Sequence, residues 1–251
     1  MIEIRYRKVI YRNELGQEII FDCKLFFCEY IDTLGTPCIA STEQIAFVHG
    51  QKLISRKLGA KTIPCKFAFK DIYNSDTKRD LLEKIFSPML SGTLTVYNQW
   101  DFYSIDVRPA EMPVIQPESP RVFKWEVDFI ADYPLWRRGI QKQQTLTSAY
   151  TVIRSPCTVN LPLEITFYQS AQFKNNTTNQ GFTVNNFSTD FIKVNTLDFS
   201  IYDSNGLKAN QAIDARESIG DIYLAPGNNE IFCPDAAGTV IKYWELFEGV
   251  M

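Results

Sequence analysis

Three stretches decide the reading of this chain: Thr62-Ile-Pro-Cys-Lys-Phe-Ala-Phe-Lys70, Asp76-Thr-Lys-Arg-Asp-Leu-Leu-Glu-Lys-Ile-Phe86 and Val122-Phe-Lys-Trp-Glu-Val-Asp-Phe129. The first alternates, so Ile63, Cys65, Phe67 and Phe69 share one face of a strand. The second changes to helical spacing, with Leu81, Leu82, Ile85 and Phe86 as an apolar stripe and Lys78, Arg79, Glu83 and Lys84 facing away. Asp76 is the expected N-cap, and Pro88 ends the helix. The third alternates again, with Phe123, Trp125, Val127 and Phe129 inward and Lys124, Glu126 and Asp128 outward, as in a half-buried antiparallel strand. A single short helix with an apolar stripe cannot stand alone in water, so it must pack on the sheet these strands form.

Outward from there the chain reads as β. Asn13-Glu-Leu-Gly16 and Thr33-Leu-Gly-Thr-Pro37 are expected turns in the first third. Ser41 to Ile54 is ambiguous, and Ser41 or Thr42 is placed to cap a short helix from Glu43. Leu94 and Val96, a loop at Asn98-Gln-Trp-Asp101, and Tyr103, Ile105 and Val107 read as a hairpin. Pro109, Pro113, Pro117 and Pro120 punctuate a loop. Asp132-Tyr-Pro-Leu-Trp-Arg-Arg-Gly139 reads as a domain end, followed by a polar stretch from Gln141 to Ser148. In the second half, Leu161, Leu163, Ile165 and Phe167 alternate, and Lys174-Asn-Asn-Thr-Thr-Asn-Gln-Gly181 is a polar turn or loop. Ile192 and Val194 lie on one register, with Leu197, Phe199 and Ile201 on the other, so a bulge or strand change falls near Thr196. Val240 to Phe247 is a last strand. The expectation is a mainly β protein with one short helix: an N-terminal β-barrel or sandwich domain over 1–140 and a C-terminal β-sandwich over 150–251.

Composition bounds the function. The 251 residues are 45% hydrophobic, enough for a core, and 26 basic against 29 acidic residues give a net charge of −3. That argues against a broad nucleic-acid face, which needs clustered Lys and Arg, and no stretch approaches a membrane span. The runs Arg5-Tyr-Arg-Lys8 and Trp136-Arg-Arg138 read as solvated strand-edge or linker charges. The alternating, charged start is unlike a signal peptide, so the sequons at Asn175, Asn176 and Asn186 read as polar loop. Cys23, Cys28, Cys38, Cys65, Cys157 and Cys233 form no C-x-x-C pair, and one histidine accompanies them, so reduced thiols are expected rather than zinc ligands.

A nucleophilic triad would need His49, which lies among apolar residues without a nucleophile elbow. Glu126 and Asp128 share a strand face, which reads as solvated surface rather than as a carboxylate pair for glycoside hydrolysis. Asp203-Ser-Asn-Gly206 resembles a calcium loop but lacks the further acidic ligands and reads as a turn. Trp100, Trp136 and Tyr150 are open to three uses: stacking on sugars, docking on a protein, or filling the core. No residue is assigned as catalytic, cofactor-binding or metal-binding, no binding residue is identified, and the chain is read as a non-enzyme.

The ordered set of motifs resembles the distal tail protein (Dit) family of long, non-contractile-tailed phages. The residues that carry it are Arg56-Lys-Leu-Gly-Ala-Lys-Thr-Ile-Pro-Cys-Lys-Phe-Ala-Phe69, Asp80-Leu-Leu-Glu-Lys-Ile-Phe86, Gly92-Thr-Leu-Thr-Val-Tyr97, Phe102-Tyr-Ser-Ile-Asp-Val107 and Phe129-Ile-Ala-Asp-Tyr-Pro134. Leu224-Ala-Pro-Gly-Asn-Asn-Glu-Ile231 and Trp244-Glu-Leu-Phe-Glu-Gly249 extend it. The resemblance implies a galectin-like second sandwich, a ring-forming first domain, and a hexameric ring at the virion tail tip, made in the cytoplasm of the bacterial host. The ring would join the tail tube protein to a tail-associated tip protein. The outward domain would hold a receptor-binding protein or a host glycan. It implies no cofactor, no membrane and no sequence-specific nucleic acid; a DNA-passing lumen favours few basic residues. The rival reading is a carbohydrate-binding β-sandwich module acting in host-surface adhesion.

Overall fold

The structure is a computed structural model that describes residues 8–22, 24–44, 51–70, 75–119, 121–213, 218–236 and 238–250. The chain divides into two compact units. Unit 1 is Met1–Gly139 with Glu248–Met251, and unit 2 is Ile140–Phe247.

Unit 1 contains β1 (Lys8–Asn13), β2 (Glu18–Phe21), β3 (Phe26–Ile31), β4 (Cys38–Gln44), β5 (Gln51–Leu58) and β6 (Lys61–Lys70). The helix α1 (Ser75–Ile85) follows, then β7 (Gly92–Tyr97), β8 (Phe102–Pro109), β9 (Gln116–Ser119), β10 (Val122–Ala131) and the start of β11 (Trp136–Thr145). One sheet runs β2, β1, β7, β8; the other runs β3, β6, β10, with β9 on the edge. β8 links them, pairing with β7 along its length and with β10 at Pro109 and Arg108. In the long antiparallel pair of β6 and β10, Ile63 faces Phe129, Cys65 faces Val127, Phe67 faces Trp125 and Phe69 faces Phe123. The two expected inward faces therefore meet position by position.

The core is a network of rings. Phe21 stacks on Phe67 at 4.0 Å between centroids, Tyr11 on Phe86 at 5.0 Å, and Phe67 lies 5.5 Å from Trp125. Each such pair adds about 0.5–1.5 kcal/mol beyond its area burial. The helix closes the core with Leu82, Ile85 and Phe86, all buried. Leu81, expected in the stripe, is 45% exposed. The apolar positions follow i, i+3, i+4 from Leu82, which turns Leu81 to the outer face. The side chain of Asp76 and the whole of His49 lie outside the described residues.

Where a helix from Glu43 was expected, β4 and β5 form a hairpin, paired from Cys38 with Leu58 to Gln44 with Gln51. An antiparallel ladder over that length satisfies more backbone groups than a one-turn helix, which overrides the local capping signal. The Pro-punctuated loop contains β9, paired to β10.

Unit 2 holds the rest of β11, then β12 (Tyr150–Ser155), β13 (Leu161–Pro162), β14 (Glu164–Phe167), β15 (Ala171–Asn175) and β16 (Gln180–Val184). β17 (Ile192–Asn195), β18 (Ser200–Asp203), a 3₁₀ turn (Asn210–Ala212), β19 (Tyr223–Leu224), β20 (Gly227–Phe232) and β21 (Val240–Phe247) complete it. One sheet is ordered β12-β20-β15-β16, and another runs β18-β17-β14-β21. Phe167 of the second meets Phe173 and Phe182 of the first edge-on at 6.0 and 5.7 Å, which makes this a β-sandwich.

Several local expectations change here. The polar stretch after Gln141 is not a linker: β11 continues to Thr145, and buried Leu146 donates its N–H to Thr239 O at 2.8 Å. A ladder needs backbone groups, not apolar side chains, so composition hid this strand. Asn175, read as loop, ends a strand and is fully buried. Near Thr196 the expected strand change is present: a hairpin turn joins β17 to β18, with Leu197 and Phe199 exposed on it. Glu248–Met251 groups with unit 1 instead of the second domain, because Val250 is buried in the aromatic core and bonds Thr33.

Two outcomes are expected from this core. Phe86→Ala should cost about 3–5 kcal/mol in denaturant unfolding, whereas Leu81→Ala should stay within about 0.5 kcal/mol. Tyr11 is buried with no hydrogen-bond partner for its hydroxyl, and burial followed by the charge of Glu14 pushes its pKa up to about 12. The folded state thus holds this proton more tightly than the unfolded chain, for which 10.0 applies. Its contribution is complete below pH 10 and is lost as pH rises towards 12. Tyr11→Phe should therefore flatten the alkaline loss of stability over that window, read by thermal melts at each pH.

Candidate functional site

The described residues contain no group of three or more His, Cys, Asp or Glu placed to hold a metal. The polar side chains of the β6–β10 sheet form ion pairs across its outer face. Lys66 reaches Glu126 at 2.6 Å, and Lys124 reaches Glu118 at 3.0 Å and Glu29 at 3.1 Å. Those bonds push both lysines up from their ordinary value, Lys66 chiefly through Glu126 and Lys124 chiefly through Glu118. Charged lysines on exposed carboxylates are neither nucleophiles nor bases at neutral pH. Glu126 is thus bound into a surface ion pair, and Asp128, also outward, shares that face.

Two of the thiols, Cys65 and Cys233, are poorly suited to attack. Burial pushes Cys65 well up and Cys233 to about 11, and the thiolate is the reactive form. Cys28, Cys38, Cys65, Cys157 and Cys233 are all free of disulfides. Asp203-Ser-Asn-Gly206 is a turn: Asp203 Oδ1 accepts from the N–H groups of Asn205 and Leu207, and Gly206 takes φ +76°. Those bonds put Asp203 Oδ1 to use in closing the turn on its own backbone.

The three aromatics left open by sequence separate. Trp136 is fully buried and belongs to the core. Trp100 is 87% exposed and Tyr150 is 58% exposed. Trp100 sits at the tip of the β7–β8 hairpin, and the tip is held firmly. Asn98 Oδ1 accepts from the N–H groups of Trp100 (3.0 Å) and Asp101 (2.8 Å), and Arg138 donates twice to Asp101 Oδ2 (3.0 and 2.6 Å). At the base of the tip Tyr97 stacks on Phe102 at 5.5 Å, and Lys8 lies over Tyr97 at 5.5 Å. A rigid tip with an exposed indole presents a large apolar surface at little entropic cost on binding.

A second exposed apolar point lies at the other end of β7. The turn bearing Leu15 is joined to the loop bearing Met89: Glu14 N–H donates to Ser91 O at 2.8 Å, and Asn13 Nδ2 donates to Ile85 O at 3.5 Å. Leu15 and Met89 are strongly exposed. The sequence marked Asn13–Gly16 as a turn and Trp100 as a loop residue. That the two lie at opposite ends of one strand follows only from the pairing of Asn13 with Gly92 and Tyr97 with Phe102. Unit 2 offers Tyr150 on edge strand β12, with Phe232 at 4.9 Å. It also holds a buried polar pair that sequence reasoning missed. Asn175 Nδ2 donates to Asn229 Oδ1 (3.1 Å) and Tyr223 O (2.8 Å), fixing the Ala225–Asn229 turn.

Residues 15–131 match the family described as the phage tail protein RIFT-related domain. Among solved structures, the Dit protein of phage SPP1, described as a paradigm of the hub adsorption apparatus in phages infecting Gram-positive bacteria, matches with TM-score 0.72 and 15% identity. The match covers 95% of this chain and 99% of that one. The phage P2 baseplate in its activated conformation with calcium matches with TM-score 0.56 and 12% identity, over 98% of this chain and 100% of that one. The same baseplate with strontium matches at 0.55 and 11%, with the same coverage. No curated protein sequence matches the chain.

Proposed function

We propose, from the match of residues 15–131 to the phage tail RIFT-related domain and from the Dit-like fold, that this chain is a structural hub of a long-tailed phage's tail tip, without catalysis. The observation that carries the reading is the likeness to the SPP1 hub protein along nearly the whole of both chains, not over one module. In this reading unit 1 forms a hexameric ring joining the tail tube protein to a tail-associated tip protein. Unit 2, as a galectin-like sandwich, anchors a receptor-binding protein, and the protein is a virion component made in the bacterial host cytoplasm.

A closed ring needs a heterologous interface, in which two different patches of one subunit meet in rotation. The Trp100 tip and the Leu15–Met89 point at opposite ends of β7 are the two such patches that support it. The alternative, a carbohydrate-binding module, is favoured by one observation, the exposed Tyr150 ring against Phe232 on a sheet edge.

Native mass measurement and negative-stain imaging of the full chain separate the two. A sixfold ring is expected. Trp100→Ala should leave the melting temperature unchanged, since the indole is 87% exposed, and should abolish the ring. A chain that stays monomeric while residues 140–247 bind sugars on a glycan array would transfer the function to the alternative.

A further inference from the structure

Unit 2 is inserted into unit 1. The chain leaves unit 1 after Gly139, and Glu248–Met251 return to it after β21. The returning segment is not a loose end. Val250 is 1% exposed and belongs to the same core as Phe67 and Trp125. Val250 N–H donates to Thr33 O at 3.3 Å, and Thr33 Oγ1 donates to Val250 O at 3.0 Å. Thr36 Oγ1 lies 2.7 Å from Glu248 O. Buried Lys61 closes the same place from the other side, its Nζ donating to Thr33 O at 3.1 Å.

The position of this knot matters. Thr33–Thr36 leads into β4 through Pro37, and Lys61 opens β6 just after Gly59 and Ala60, which follow β5. Gly59 N–H donates to Pro37 O at 2.8 Å, which shuts the hairpin at its base. Among the described residues β4 and β5 pair only with each other. A two-stranded ribbon is marginal in water by itself, so its position depends on how firmly its base is held.

We propose that Glu248–Val250 is a strap that completes unit 1 and sets the base of the β4–β5 hairpin, so that unit 1 reaches its final form only after unit 2 has been made. The order follows from the chain: the strap lies beyond all of unit 2, and Val250 cannot enter the core before it exists. A chain interrupted within unit 2 therefore keeps a unit 1 with a loose hairpin base. A further consequence rests on the ring reading above: interrupted chains would be poor ring partners, which protects assembly from incomplete subunits.

Hydrogen exchange on the free full chain, and on a chain ending at Phe247, tests the strap independently of any ring. The amides of Asp32 and Gly59, bonded to Pro64 O and Pro37 O, should exchange roughly tenfold faster or more without the strap, while β14 and β20 keep their protection. Unchanged exchange at those two amides overturns the proposal. If truncation instead opens all of unit 1, Val250→Ala and Thr36→Val decide: faster exchange confined to residues 31–37 and 58–62 supports the strap, and no change or a uniform rise across unit 1 overturns it.

Discussion

The stacking of rings between β6, β10, β1 and the helix is the constraint on which unit 1 depends. Phe67, Phe86, Phe129, Tyr11 and Trp125 are buried together, and each touches strands far apart in the chain. Large rings cannot be rearranged without opening voids, so their fit fixes strand order, register and the seat of the helix at once. The core tolerates cost to achieve this. The Tyr11 hydroxyl and the indole N–H groups of Trp125 and Trp136 are buried without partners, a penalty of about 1–3 kcal/mol each that dense packing must offset. Gly92 shows how tight the fit is: a Cβ there would lie 2.8 Å from the Tyr11 ring and 2.5 Å from Arg12 O.

That core was legible in sequence because its signals are strictly local. Alternation in Ile63–Phe69 and Phe123–Phe129 and the helical spacing of Leu82, Ile85 and Phe86 need no knowledge of the rest of the chain. What was not legible depends on distance. Leu81 belongs to either side of a helix until the position of the sheet is known. β11 is polar in composition and is a strand because of its neighbours. Val250 is one apolar residue in a short segment, with no period to betray that it enters the core of a unit beginning far earlier in the chain. Asn175 looked like a loop polar because its burial rests on hydrogen bonds to Asn229 and Tyr223 O, both distant in the chain.

The same division applies to function. The chain's reactive groups include two thiols, Cys65 and Cys233, held protonated by burial, carboxylates tied to lysines, and a calcium-like turn in which Asp203 Oδ1 serves its own backbone. Among the apolar groups that unit 1 presents outward are a rigid aromatic tip at one end of β7 and two side chains, Leu15 and Met89, at the other. Such surfaces suit contact between proteins better than turnover of a substrate. They agree with a Dit-like fold and with the match of residues 15–131 to a phage tail domain.

The most direct measurement of the proposed hub role is a cryo-electron microscopy reconstruction of tail tips on particles released by cells that carry the gene for this chain. The account predicts six copies arranged as a ring through unit 1, with Trp100 of each copy buried against its neighbour. A tail tip that lacks the chain, or holds it in single copies with unit 1 exposed on all sides, would contradict it.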